Sequence, residues 1–200
     1  MTGILQIEKS GNIFSLIQAL NSLKNDFKII ESLNDFDKCD RIIIPGVGSF
    51  NNSMNFLNSK FNIDELVRIL RTKKILGICV GMQIFAEYGY ENGKTKGLSL
   101  IKGQVKKIKT NKVLPHVGFN LINVQRQSLL FDNINMNQSE FYFTHSFELI
   151  KNDNITSSCN FFGKEIITSI KRGNIYGVQF HPENSKEQGV KILENFLNKI

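Results

Sequence analysis

A cysteine with a glycine two residues to either side, Gly77-Ile78-Cys79-Val80-Gly81, closes the apolar run at residues 74–78. That spacing is the pattern of a nucleophile elbow, with cysteine in the serine's place. The turn crowds the nucleophile's backbone, so its neighbours must be small. A helix starting there would aim amide N–H groups at the sulfur and favour thiolate. Taken alone, Cys79 reads equally well as a small core residue.

A thiol nucleophile needs a base, and the chain has three histidines. His181 follows an apolar strand pattern at 175–179 and is followed by Pro182-Glu183. In extended backbone, residues two apart face the same side, so the Glu183 carboxylate can hold the far imidazole nitrogen and support an imidazolium. His116 and His145 have no carboxylate at that spacing and read as structural. Acyl chemistry also needs N–H donors where charge develops on the carbonyl oxygen. Gly46-Val47-Gly48, just after an isoleucine-rich strand pattern, can supply one such donor, and the Val80 amide the other. A lone Pro-Gly-Val-Gly is a tight turn and a lone His-Pro-Glu a surface turn. Together the three segments specify acyl-group hydrolysis through a thioester.

These segments need a scaffold that brings strand ends together. Apolar runs at 4–7, 27–30, 42–44 and 74–78 predict strands, and helical periodicity appears over 13–23, 63–70 and 82–88. The order β-α-β-β-α-β-α predicts a parallel sheet covered by helices, whose functional crevice lies at the carboxyl ends of the strands. The second half predicts short strands at 105–108, 121–124, 141–143, 155–161, 165–170 and 175–179. A final amphipathic helix follows through Val190, Leu193, Phe196 and Leu197. No linker or internal repeat separates the halves, which predicts one domain over residues 1–200.

Composition narrows the class. With 41% hydrophobic and 22% charged residues the chain reads as a soluble globular protein. The Met-Thr-Gly start predicts no secretory segment, and no apolar run approaches a membrane span. Cys39, Cys79 and Cys159 form no CxxC pair, which argues against a disulfide framework or metal site and for a reducing, cytoplasmic setting. Seven lysines and no acidic residue fall between Lys94 and Lys112, in a chain of net charge +7. Without an aromatic ladder or readout motif, the stretch reads as a solvated hairpin rather than a nucleic-acid surface.

The elbow and the C-terminal His-Pro-Glu resemble the signatures of the class I (triad) glutamine amidotransferases. PGVGSF, GICVGMQIF, LPHVGFN, FYFTHSF and GVQFHPENS stand in the order and spacing of the glutaminase subunits of imidazole glycerol phosphate synthases. The similarity runs from the Ser10-Gly11-Asn12 loop to the last helix. It implies an α/β fold with a mostly parallel central sheet flanked by helices and a mixed or antiparallel β portion in the second half. It further implies Cys79 as nucleophile, His181 as base and acid, and Glu183 as the orienting group. Gln83 and Glu91 would hold glutamine, and Gly46, Val47, Gly48 and Val80 would form the oxyanion site, where a peptide reorients on activation. No cofactor or metal is implied. His116, Phe119, Asn120, Tyr142 and Asn184 would line a rim facing a (β/α)8-barrel cyclase, which takes ammonia through a tunnel and makes imidazole glycerol phosphate and AICAR for histidine synthesis. Phe119 stands where the family usually has tryptophan, and Asn184 where lysine is usual. A paralogous glutaminase serving acetamidino-sugar synthesis and a catalytically silent partner-binding protein are the alternatives. The length predicts no room for an ammonia acceptor, and no P-loop or dinucleotide fingerprint appears, so the acceptor chemistry is expected on another polypeptide.

Overall fold

The computed structural model describes residues 1–7 and 13–200; the Ser10-Gly11-Asn12 loop lies outside the described residues. The first half supplies four parallel strands, β1 (Thr2–Ile4), β2 (Phe27–Ile29), β3 (Arg41–Ile44) and β4 (Lys74–Ile78). They are connected through α1 (Phe14–Ser22), α2 (Phe50–Lys60) and α3 (Ile63–Leu70). A single helical turn, α4 (Val80–Gln83), follows β4. The chain continues through β5 (Tyr88–Gly89), β6 (Thr95–Lys96), β7 (Gln104–Lys107), β8 (His116–Leu121) and β9 (Asn123–Val124). The remaining strands are β10 (Glu140–His145), β11 (Phe147–Ile150), β12 (Ile155–Phe161), β13 (Lys164–Arg172) and β14 (Ile175–Val178), before the closing helix α5 (Lys186–Lys199).

The main sheet has the order β2-β1-β3-β4-β14-β13-β12-β9. β14 lies parallel to β4, whereas β13, β12 and β9 add antiparallel strands on its far side. The strand made last is therefore the one beside the elbow. Central parallel strands are buried on both faces and read as continuous apolar runs, and Ile42, Ile43 and Ile44 are fully buried here. β11, β7, β5 and β6 form a second sheet, and β8 and β10 an antiparallel ribbon. Among the described residues no helix is long and apolar enough to cross a membrane, and no group of three His, Cys, Asp or Glu residues is placed to hold a metal ion.

Four differences from the sequence reading have physical causes. α2 escapes the propensity argument because Asn51, Asn52, Asn55 and Asn58 are weak helix formers. It forms because Phe50, Met54 and Leu57 share one buried face and the Ser49 side chain accepts the Asn52 N–H at its start. The helix expected over 82–88 stops after one turn. The carbonyls that would continue it, on Ile84, Phe85 and Ala86, accept N–H groups from residues 98–101 instead. β1 begins two residues earlier than expected, because Thr2, Gly3 and Ile4 pair in register with both β2 and β3. The lysine-rich stretch is divided between β6, β7 and their loops rather than forming one hairpin. Lys94, Lys106 and Lys112 sit 4.2, 4.8 and 5.1 Å from the ring centres of Tyr88, Tyr90 and Phe162, so three of the cations are engaged by the protein's own aromatics.

Candidate active site

Cys79 occupies the junction of β4 and α4 with φ +52° and ψ −111°, a backbone conformation that L-residues rarely adopt. Holding it there costs about 1–3 kcal/mol, tolerated where the surroundings over-determine the turn. The surroundings do. The Cys79 N–H bonds to the Val178 carbonyl of β14 at 2.8 Å, and its carbonyl accepts from Met82 and Gln83. The flanking glycines answer to close backbone approach: a Cβ on Gly81 would lie 1.9 Å from the Ile44 oxygen, and one on Gly77 2.6 Å from the Gly81 oxygen. In β14, Gly177 pairs with Gly77, and a Cβ there would meet Met82 at 2.4 Å. With α4 only four residues long, little macrodipole acts on the sulfur.

β14 ends at Val178 and delivers His181 to the same crevice. The His181 ring is buried, and its Nδ1 lies 2.7 Å from Glu183 Oε1. A carboxylate accepts, so Nδ1 carries the proton and the neutral ring keeps its lone pair on Nε2. Nε2 has no hydrogen-bond partner. Burial opposes a charge on this ring, but Cys79 and Glu183 together outweigh it and raise the His181 pKa well above the ordinary value. The two side chains meet by a different route from the one the sequence suggested. Pro182–Asn184 is a short 3-10 turn rather than extended backbone, and Ser185 Oγ locks it by donating to the His181 carbonyl at 2.6 Å.

Cys79, Val80 and His181 line a pocket of about 320 Å³ together with Val47, Gly48, Gln83 and Glu91. The walls opposite are Thr144, His145 and Phe147. Gly46 lies beneath the loop, where a Cβ would fall 2.6 Å from the Gly81 nitrogen, so the loop is packed directly on the elbow. Gly48 has φ +106°, a turn that favours glycine. The Glu91 carboxylate accepts the Phe50 N–H at 2.9 Å, tying the pocket's acidic side to the start of α2. Gln83 is buried and donates from Nε2 to the Phe147 carbonyl and to Gln179 Oε1, both at 2.9 Å. Its oxygen is the part of that carboxamide not committed by these bonds.

Comparison with known proteins agrees with this geometry. The Glutamine amidotransferase class-I family profile matches residues 10–200. The chain belongs to the class I glutamine amidotransferases. It is 42% identical over 199 residues to the imidazole glycerol phosphate synthase subunit HisH of Pelagibacter ubique, covering 94% of this chain and 95% of that one. It is 36% identical to the chloroplastic imidazole glycerol phosphate synthase hisHF of Arabidopsis thaliana, over 94% of this chain and 33% of that protein. Among solved structures, PurLQS from Thermotoga maritima superposes with a TM-score of 0.75 at 21% identity, covering 99% of this chain and 98% of that one. That likeness is one of fold. The α/β class I amidotransferase architecture expected from the sequence is the one observed.

In this amidotransferase the expected rim residues separate into two groups. Phe119 on β8 and Tyr142 on β10 are register partners, with ring centres 5.5 Å apart. Phe119 is 41% exposed and has Lys186 Nζ 4.7 Å from its ring centre. Asn184 is exposed, and Asn120 donates to the Asn160 carbonyl at 3.2 Å. His116 does not belong to the surface. It is 4% exposed, packed against Phe143 and Phe161, and its Nδ1 lies 3.2 Å from His145 Nε2. Burial pushes both histidines down to about 4. The aromatic residues around the strand explain the correction: an alternating strand places His116 and Phe119 on opposite faces.

One residue in contact with the nucleophile of this amidotransferase was not singled out from the sequence. Gln179 is fully buried, and its Nε2 lies 3.5 Å from the Cys79 sulfur. The available signal was a carboxamide at the end of an otherwise apolar, buried strand, two residues before the histidine.

Proposed function

We propose that this protein is the glutaminase subunit of an imidazole glycerol phosphate synthase, a single amidotransferase domain over residues 1–200. It hydrolyses glutamine to glutamate and delivers the ammonia to a separate (β/α)8-barrel cyclase. The observation that carries the chemistry is a His181 ring fixed by Glu183 with its free Nε2 in the pocket of a strained Cys79. The subunit HisH identity over nearly the whole chain supports the pathway. The Arabidopsis hisHF protein extends well beyond the match, which supports a second polypeptide as acceptor here.

Glutamine enters with its α-amino group toward Glu91 and its carboxamide beside Cys79 and Gln83. His181 Nε2 holds the proton taken from the Cys79 thiol, and the sulfur attacks the carboxamide carbon. The resulting oxyanion is met by the Val80 N–H and by a peptide N–H of the Gly46-Val47-Gly48 loop. The same His181 proton passes to the departing nitrogen, the C–N bond breaks, and ammonia leaves a thioester on Cys79. Water then attacks the thioester with His181 as base, releasing glutamate and restoring the thiol. Glu183 supports the imidazolium in both steps. The ribbon of β8 and β10 carries Phe119 and Tyr142 toward the partner, and docking there orients the oxyanion loop.

The test reconstitutes the protein with a cyclase and its phosphorylated ribulose substrate. Cys79→Ala abolishes the glutamine-dependent reaction while ammonium salts still support it. Glutamine-dependent turnover at near wild-type rate in that variant removes Cys79 from the mechanism. Failure of any cyclase to couple with an active glutaminase removes the pathway and leaves the hydrolysis.

A further inference from the structure

Five groups from three segments of the chain form one hydrogen-bonded line ending on the nucleophile. The His145 ring nitrogen Nδ1 lies 2.8 Å from the Phe147 carbonyl, which can only accept. The same carbonyl accepts from Gln83 Nε2, and this fixes which end of the Gln83 carboxamide is nitrogen. Gln83 Nε2 also reaches Gln179 Oε1 at 2.9 Å, and this fixes Gln179 in turn. Gln179 Nε2 is thereby left facing the Cys79 sulfur at 3.5 Å; turning Gln83 over would set its oxygen against two acceptors, and turning Gln179 over would set two donors face to face. The Thr144 carbonyl, 4.0 Å from the sulfur, can accept from a thiol but offers nothing to a thiolate. The one-turn α4 supplies little dipole. The titratable side chains sharing the pocket with the sulfur are His181, whose charged form Cys79 favours, His145 and Glu91. Alongside His181, a fixed N–H on the sulfur favours the charged form, as hydrogen bonds to an anion do.

We propose that Gln179, oriented by Gln83 and the Phe147 carbonyl, is the hydrogen-bond donor that holds the Cys79 sulfur as a thiolate poised for attack. The inference rests on the reading of Cys79 as the glutaminase nucleophile. The line also assigns Gln83 a second duty, since it sets the Gln179 amide while presenting its own oxygen to the pocket.

The experiment measures iodoacetamide alkylation of Cys79 against pH on the full chain, with the labelled cysteine identified by peptide mass spectrometry because Cys39 and Cys159 are also free thiols. Glutaminase kcat and KM are measured in the complex with the cyclase. Gln179→Glu keeps the shape and, once ionised, replaces the donor with a second acceptor. Gln179→Met keeps the length and removes the donor. In the glutamate variant the pH of half-maximal alkylation rises by about one to two units, and kcat at pH 7 falls roughly 10- to 100-fold with KM changed less than about threefold. The methionine variant moves in the same direction. A merely structural role lowers thermal stability and the fraction of active protein but leaves the alkylation midpoint in place. Unmoved midpoints in either folded variant, or loss of fold in both, overturn the proposal. If Cys79→Ala retains full glutaminase activity, the nucleophile assignment itself fails. An essential, alkylated Cys79 with an unmoved midpoint in the Gln179 variants fails this inference alone.

Discussion

Replacing His116 with phenylalanine should lower stability at neutral pH and at the same time make the protein more resistant to mild acid. His116 and His145 are both buried and both held to about 4, so they stay neutral in the fold at pH 5. In the unfolded chain each takes up a proton below about 6.5. Between those values the unfolded state binds more protons, so stability falls as pH falls, and the loss is complete near pH 4. From pH 7 to pH 5 each ring accounts for about 2 kcal/mol of that loss, one and a half units at about 1.4 kcal/mol per unit. His181 has the opposite sign: its raised value gives stability that is full below about 6.5 and disappears as pH rises through the folded value, so it shapes the alkaline side. His116→Phe keeps an aromatic ring between Phe143 and Phe161 but leaves His145 Nε2 without its 3.2 Å partner. That costs about 1–3 kcal/mol at pH 7. The variant then loses about 2 kcal/mol less than the wild type on the way to pH 5, so the two stabilities converge there. Urea unfolding at pH 7, 6, 5 and 4.5 measures this directly. Parallel wild-type and variant curves, or a wild type whose stability is flat over this range, would refute the reasoning.

Three further outcomes follow from the site. Glu183→Gln should reduce glutamine hydrolysis less than His181→Ala, and the double variant should be no worse than His181→Ala, because the pair acts as one unit; fully additive losses in log rate count against the 2.7 Å pair. Phe119→Ala and Tyr142→Ala should each weaken cyclase binding by about 1 kcal/mol or more, as aromatic anchors do, while Phe119→Ala shifts the melting temperature little because the ring is 41% exposed; a large melting shift with normal affinity makes Phe119 a packing residue. Gly81→Ala should destabilise the fold by about 1–3 kcal/mol or more and abolish glutaminase activity, since its Cβ would sit 1.9 Å from the Ile44 oxygen of a central strand. A variant with wild-type melting and activity shows that the elbow can open without consequence.

What the sequence disclosed depended on whether the signal was local. The elbow was legible because backbone crowding selects glycine at fixed offsets from Cys79. The central strands were legible because burial on both faces writes them as apolar runs, and β4 begins and ends where its pattern does. α2 was hidden by its asparagines, and only the packing of Phe50, Met54 and Leu57 on the body of the protein makes it helical. The end of α4 was hidden because the groups that capture its carbonyls lie at residues 98–101. His116 looked like a rim residue by its motif and proved to be core, because the choice of strand face is set by pairing with β10. Gln179 was invisible for the same reason: its meaning lies in contacts with Gln83 and Cys79, each about a hundred residues away in the chain.

The position of β14 in the main sheet also governs how this protein comes into being on the ribosome. Ile75 pairs with Ile175, so the nucleophile strand waits one hundred residues for its neighbour. At about 5–20 residues per second, that is an interval of roughly 5–20 s during which the β14 side of β4 is an open, apolar edge. Closing so long a loop makes this a slow step for the fold as a whole. Throughout that interval Cys79 lacks the Val178 carbonyl that anchors its strained backbone and the His181 and Gln179 that equip its sulfur. A chain released before Ile175 therefore carries a cysteine but no hydrolase, and glutamine is spent only by molecules that have been finished.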